Sequence, residues 1–262
     1  MIDLDAYLAR IGYAGPIGPT RETLEALHLA HVCRVPFENI DVRLRRPIGL
    51  DLESLQAKLV RGNRGGYCFE QNTLFAAALR AVGFEVATLE ARVRPPGATT
   101  VLPRTHMTLE VRVDGREHLA DVGFGADGPL LPVPLNGTPS EQPDARYRLA
   151  REGSAVRVLQ RLWRGAWRDL YAFSRVPALP VDFEVANHFT STHPDSAFVG
   201  TLTVQRSGPA GRHILRGRTY AVRDGDVETT RVIGPEELTS LLRDIFGVDL
   251  SDEDARIALG DA

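Results

Sequence analysis

The sequence lacks the marks of a membrane, secreted or nucleic-acid-binding protein. No apolar run approaches the roughly 18 residues that a membrane-spanning helix needs. Only two cysteines, Cys33 and Cys68, are present, too few for the disulfide framework of a small secreted domain. The N-terminal stretch MIDLDAYLAR has neither a basic segment nor an apolar core, so no secretory leader is expected and the cytoplasm is the expected compartment. No block of basic residues occurs and the net charge is −3 at pH 7, which argues against nucleic acid as a partner. Lysine is nearly missing. Lys58 stands alone among 31 basic residues, a bias that codon usage accounts for without a functional reason.

What remains is ordinary globular material, with 43% apolar and 25% charged residues. A chain of 262 residues suffices for a sizeable core and for one to three domains. Residues 1–83 read as helices. Leu4, Leu8 and Ile11 recur at helical spacing before Gly12. Thr20 is a candidate N-cap for a helix with Leu24, Leu27 and Val32, and Asp51 for one with Leu52, Leu55 and Leu59. A fourth helix is predicted from Cys68 to Val82, ended by Gly83, and its all-round apolar body Leu74–Leu79 marks it as buried.

From Phe84 the hydrophobic period becomes two. Strands are predicted over Val86–Val93, His106–Val113, Glu117–Val122, Tyr147–Ala150, Ala155–Leu159 and Trp167–Phe173. Residues 84–199 thus form a β sandwich or barrel, with His188 and His193 in a polar loop. Residues 200–262 read as a small α/β tail, with a hairpin at Asp224-Gly225, His213 near a strand start, and a helix with Pro235 at its first turn and Gly247 following it. The expected fold class is α+β: helical bundle, β barrel, α/β tail.

Two local patterns carry chemistry. Cys68 follows Arg64-Gly65-Gly66-Tyr67 and opens the buried helix. A helix N-terminus favours a thiolate, and its free amides can hold an oxyanion. A structural cysteine is the competing reading. The hairpin separates the two. If Asp114-Gly115 is a two-residue turn, Val113 opposes Arg116 and Thr108 opposes Asp121. His106 and Asp121 then share the face not occupied by Met107, Leu109, Ala120 and Val122, as diagonal neighbours roughly 7–8 Å apart at Cβ. A carboxylate behind a histidine fixes its tautomer and raises its basicity, as a cysteine nucleophile requires. His28 and His31 lack the carboxylate or second thiolate of a metal site, and no metal is expected. Gly123-Phe124-Gly125-Ala126-Asp127-Gly128 matches a dinucleotide fingerprint, but Pro129 and Pro132 forbid the helix that must follow.

The sequence resembles the arylamine N-acetyltransferases. The likeness rests on Val35-Pro36-Phe37-Glu38-Asn39, Arg64-Gly65-Gly66-Tyr67-Cys68-Phe69-Glu70-Gln71-Asn72, Thr105-His106-Met107, Leu119–Gly125 and Phe189–Ser196, in family order. The resemblance implies a helical bundle, a β barrel and an α/β lid, with a cysteine-protease-like triad of Cys68, His106 and Asp121. It implies ping-pong acetyl transfer from acetyl-CoA to an aromatic amine, hydroxylamine or hydrazine. It places Phe37, Val93 and Phe124 in the acceptor pocket, Gly125 and Gly128 beside coenzyme A, and Glu38 with Arg64 in a structural ion pair. The partners implied are these small molecules, with neither nucleic acid nor membrane; a homo-oligomer is compatible with it. Two rival activities go with the same triad: an amide synthase closing a macrolactam, and a cysteine hydrolase or transglutaminase-like enzyme.

Overall fold

The computed structural model describes residues 1–260; residues 261 and 262, the end of the tail expected over 200–262, lie outside the described residues. Local chemistry sets the first helices. The Asp3 carboxylate accepts the Ala6 amide to start α1 (Leu4–Ile11), and Gly12 ends it at φ 70°. Thr20 caps α2 (Arg21–Arg34) through the Thr23 amide. A two-residue strand, β1 (Phe37–Glu38), and a single helical turn, α3 (Ile40–Arg43), come next and leave no periodicity to read. Asp51 caps α4 (Leu52–Leu55), which runs on as a wider π-helical turn over Gln56–Arg61. The buried helix α5 (Cys68–Val82) has its expected bounds and stops at Gly83, φ 108°.

Eight strands follow: β2 (Glu85–Val93), β3 (His106–Val113), β4 (Arg116–Ala120), β5 (Val133–Pro134), β6 (Ser140–Glu141), β7 (Arg146–Glu152), β8 (Val156–Trp163) and β9 (Ala166–Ser174). They make one antiparallel sheet, ordered β5-β4-β3-β2-β9-β8-β7-β6. It curls until β5 lies against β7 and nearly closes a barrel. The predicted hairpin register is observed, from Val113 opposite Arg116 to Leu109 opposite Ala120.

Helices α6 (Pro180–Thr192) and α7 (Ala197–Gly200) correct the polar loop expected at His188 and His193; His188 lies inside α6 and His193 ends it. The buried stripe of α6 is Phe183, Ala186, Asn187 and Thr190. Half of it is polar, so counting apolar residues misses it. A second sheet, ordered β1-β10-β11-β12-β13, adds β10 (Thr203–Gly208), β11 (Gly211–Arg216), β12 (Thr219–Asp224) and β13 (Val227–Val232). Its β12–β13 hairpin turns where Asp224-Gly225 predicts. His213 lies near the start of β11, as its third residue, opposite Arg206. The chain closes with a helical segment from Pro235 through α8 (Leu238–Leu241) to Phe246, and with α9 (Asp252–Leu259).

Three apolar cores result. One packs the N-terminal helices and α6 on the Met107, Leu109 and Ala120 face of the β3–β4 hairpin. Another fills the barrel with Leu89, Leu119, Leu159, Tyr171 and Phe173. The last joins the second sheet to the C-terminal helices. Both faces of the β3–β4 hairpin are therefore buried around His106 and Ala120, while Arg112 and Arg116 stay exposed toward its turn. The His106 and Asp121 face, expected to lie away from the core, looks into the barrel, because the sheet curls around it.

Candidate active site

Cys68 is held by a backbone crossing that only glycine allows. A Cβ on Gly65 would lie 2.0 Å from the Pro36 carbonyl oxygen. The close approach lets the Gly66 carbonyl accept the Glu38 amide at 3.0 Å. Charges then fix the loop. Arg64 reaches Glu38 at 2.8 Å and Asp41 at 3.3 Å, while Lys58 bridges Asp41 and Glu70 at 2.7 Å each. The lone lysine thus spans two carboxylates with one compact ammonium; despite burial, these charges raise its pKa. Glu70 in turn accepts the Tyr67 amide at 3.1 Å. The ion pair expected of Glu38 and Arg64 is one link in this network. In α5 the Gln71 amide is the first to bond back, to the Tyr67 carbonyl at 3.0 Å. The amides of Cys68, Phe69 and Glu70 have no acceptor within the helix.

The β3–β4 hairpin brings His106 and Asp121 to that sulfur. His106 Nε2 lies 2.7 Å from Asp121 Oδ2, with both side chains buried. That bond leaves Nδ1 as the free ring nitrogen, and Cys68 is close enough to act on the His106 pKa. The Cys68 thiol also lies 3.6 Å from the Thr105 carbonyl. Burial would lower the His106 pKa, but the charge and hydrogen bond of Asp121, with Cys68, push it up to about 10. Burial likewise opposes the Asp121 charge, yet His106 and the donors around it hold its pKa below the usual carboxylate value.

Strand β4 stops one residue short of Asp121, and the reason lies in the site. The Asp121 amide donates to His28 Nε2 at 3.0 Å, and the Val122 amide to Asn72 Oδ1 at 3.1 Å. Side-chain acceptors replace the ladder there. Gly123 lets this segment press on α5, since a Cβ would lie 2.8 Å from Cys68 Cα. The carboxylate is saturated. Oδ1 accepts from Asn72 Nδ2 and the Gly123 amide, each at 3.0 Å, and Oδ2 accepts from His106 and from Tyr171 Oη at 2.7 Å. Asn72, Tyr171 and His28 were not among the predicted site residues. Asn72 had a signal: four residues after Cys68, it shares that face of α5.

His28 and His31 serve as neutral structural groups. His28 Nδ1–H donates to the Leu130 carbonyl at 2.9 Å, and His31 Nδ1 pairs with Tyr7 Oη at 2.8 Å. Among the described residues, no cluster of three or more His, Cys, Asp or Glu is placed to hold a metal. Burial lowers the His28 pKa to about 4, against the pull of Leu130 and Asp121. Burial, then the charges of His28 and Arg10, lowers that of His31 to about 3. Between these values and about 6.5 the unfolded chain binds protons that the folded chain refuses. Stability from this pair is therefore complete above about pH 6.5 and is lost as pH falls through the folded values. Each proton contributes about 1.4 kcal/mol per pH unit. Urea titrations between pH 4 and 7 should show a His31→Asn variant with an acid limb shallower by about that amount. Parallel limbs would contradict the assignment.

Cys68 and His106 open onto a cavity of about 1130 Å³. Phe37, Val93 and Phe124 line it with them, so the three predicted pocket residues share that space; Asp121 stands behind His106. Of the glycine turn, Ala126 and Asp127 face the cavity, and Gly125 and Gly128 do not line it. Gly125 holds φ 86° beneath Gln205, the Gly128 amide donates to the Gly125 carbonyl, and the Ala126 amide donates to Gln205 Oε1. Thr203, Gln205, Arg216 and Arg223 close the cavity from the second sheet.

Comparison with known proteins agrees with this architecture. A family model described as N-acetyltransferase matches residues 20–255. An arylamine N-acetyltransferase of Mycolicibacterium smegmatis is 40% identical over 96% of this chain and 94% of its own. A Salmonella typhimurium protein named arylamine N-acetyltransferase / N-hydroxyarylamine O-acetyltransferase is 38% identical over 95% and 90%. Among solved structures, the Salmonella typhimurium enzyme superposes with a TM-score of 0.94 at 32% identity, covering 100% of both chains. The Mycobacterium marinum enzyme in complex with CoA gives 0.93 at 34% identity, covering 99% of both. With Cys68 and His106 lining one cavity, Asp121 paired to His106, and this likeness over nearly its whole length, the chain belongs to the arylamine N-acetyltransferase family.

Proposed function

We propose that the protein transfers an acetyl group from acetyl-CoA to the nitrogen of arylamines, arylhydroxylamines or hydrazines, by a ping-pong route through acetyl-Cys68. The placing of Cys68 and a His106–Asp121 pair together on the wall of one large cavity carries this reading. Cys68 gives its proton to His106 Nδ1, and the thiolate attacks the thioester carbonyl. Amides at the start of α5 receive the oxyanion. The carbon–sulfur bond to coenzyme A breaks, the coenzyme takes the proton from His106, and acetyl remains on Cys68. The amine then attacks this thioester, His106 accepts its proton, and Cys68 departs as thiolate. Arylamines are weak bases, neutral at pH 7, and enter an apolar pocket lined by Phe37, Val93 and Phe124 without shedding a proton. The same rings exclude water and favour transfer over hydrolysis.

On this reading residues 1–83 supply the nucleophile, residues 84–199 the base and carboxylate, and residues 200–262 a lid, a division supported by the second sheet's place over the cavity. Intact-mass measurement tests the reaction. Acetyl-CoA alone should add one acetyl group at Cys68 and release one free thiol, and an arylamine should then remove the label. No label sinks the reading. A label lost to water without amine supports a hydrolase, and one released only to a carrier-bound acceptor supports an amide synthase.

A further inference from the structure

The cavity is larger than an arylamine requires, since roughly 300–1,000 Å³ already suits a drug-sized ligand. Its far end is basic. The β8–β9 hairpin tip meets the β12–β13 tip, where the Arg164 amide donates to the Asp226 carboxylate at 3.0 Å. Six arginines line the cavity, and three are neutralised. Arg94 pairs with Asp169 and Glu152, Arg161 with Asp127, and Arg223 with Asp127 and Glu228. Among the described residues, no carboxylate lies within ion-pair distance of the other three, Arg164, Arg168 and Arg216. Two of these are organised by one ring: the guanidinium carbons of Arg164 and Arg168 lie 5.5 and 5.7 Å from the centre of Trp163. Arg161 and Arg223 lie at 4.8 Å from the same ring. Arg216 comes from the other sheet. Uncompensated like charges persist on a cavity wall at a cost in self-repulsion, which an anionic ligand removes.

We infer that Arg164, Arg168 and Arg216 hold the phosphates of the acyl-CoA donor, while the acceptor occupies the Phe37–Phe124 end. This rests on the donor proposed above. Planar guanidinium forks suit phosphate oxygens. An aryl acceptor and the acetyl group carry no charge that needs them. The arginines are exposed and well hydrated, so each contributes modestly, about 10-fold in donor affinity at low salt.

The test compares two donors on the full-length enzyme: acetyl-CoA, and S-acetylpantetheine, which has the same thioester arm and no phosphate. Arg164→Ala, Arg168→Ala and Arg216→Ala should each lower the ratio of kcat/KM for acetyl-CoA to that for S-acetylpantetheine by about 10-fold, through KM rather than kcat. Added salt should raise the wild-type KM for acetyl-CoA and affect the variants less. An unchanged ratio in all three variants overturns the inference, including the case where both donors suffer alike. A wild-type enzyme that uses S-acetylpantetheine and ignores acetyl-CoA contradicts the donor reading itself, before any variant is made.

Discussion

Cys68→Ser is expected to lose at least roughly 1,000-fold in acetyl transfer while melting within a few degrees of the wild type. The side chain is 3% exposed, its thiol has only a long 3.6 Å bond to the Thr105 carbonyl to lose, and serine replaces the sulfur by one smaller atom. Packing therefore changes little. Chemistry changes a great deal, because an alcohol yields its proton far less readily than a thiol and is the poorer leaving group in the second half-reaction. His106 is basic enough to hold a proton up to about pH 10, but it cannot make serine an equal nucleophile. Cys68→Ala should show no acetyl adduct at all. Cys33 supplies the control: it lies on α2, burial raises its pKa, and Cys33→Ala should retain normal turnover. Intact mass after acetyl-CoA, kcat on an arylamine and thermal melting decide the matter. An acetylated Cys68→Ala protein, or a Cys33→Ala protein that folds and is inactive, would place the nucleophile elsewhere.

Much of this site could be read from local sequence because each piece is fixed by a short-range rule. Helix α5 begins after two glycines and ends at a third, so its bounds are legible to the residue. Asp114 and Gly115 both have positive φ, 51° and 71°. That is the two-residue hairpin turn which determines the register carrying His106 toward Asp121. What stayed hidden depends on contacts far apart in the chain. His28 is 93 residues from the amide it accepts, and Tyr171 is 50 residues from Asp121. Tyr171 reaches the site only because β9 pairs with β2, placing it opposite Val93; no local pattern states that pairing. The polar stripe of α6 and the barrel's curvature are hidden for the same reason. Each is a property of the surface the element meets, and an isolated strand cannot show that both its faces will be covered.

Asp121→Asn should cost roughly 10,000-fold in turnover, and the hydrogen bonds around the carboxylate dictate how. Oδ1 accepts two N–H donors, from Asn72 and from the Gly123 backbone. Asn72 cannot turn its amide around, because its own oxygen accepts the Val122 amide while its nitrogen also donates to the Met107 carbonyl. The amide oxygen of a new asparagine must therefore take the Oδ1 position. Its NH2 group then faces His106 and Tyr171 where Oδ2 stood. Tyr171 can rotate its hydroxyl to accept. His106 can accept only by moving its proton from Nε2 to Nδ1, the nitrogen that faces Cys68. The base then points a proton at the sulfur it should deprotonate. The variant also removes the charge that raises the His106 pKa against burial, so that pKa should fall from about 10 to below its ordinary value. Histidine NMR titration, read beside kcat, separates this from general damage. A folded Asp121→Asn enzyme with the His106 pKa unmoved, or with more than a few per cent of wild-type turnover, would show that the carboxylate does not set the tautomer.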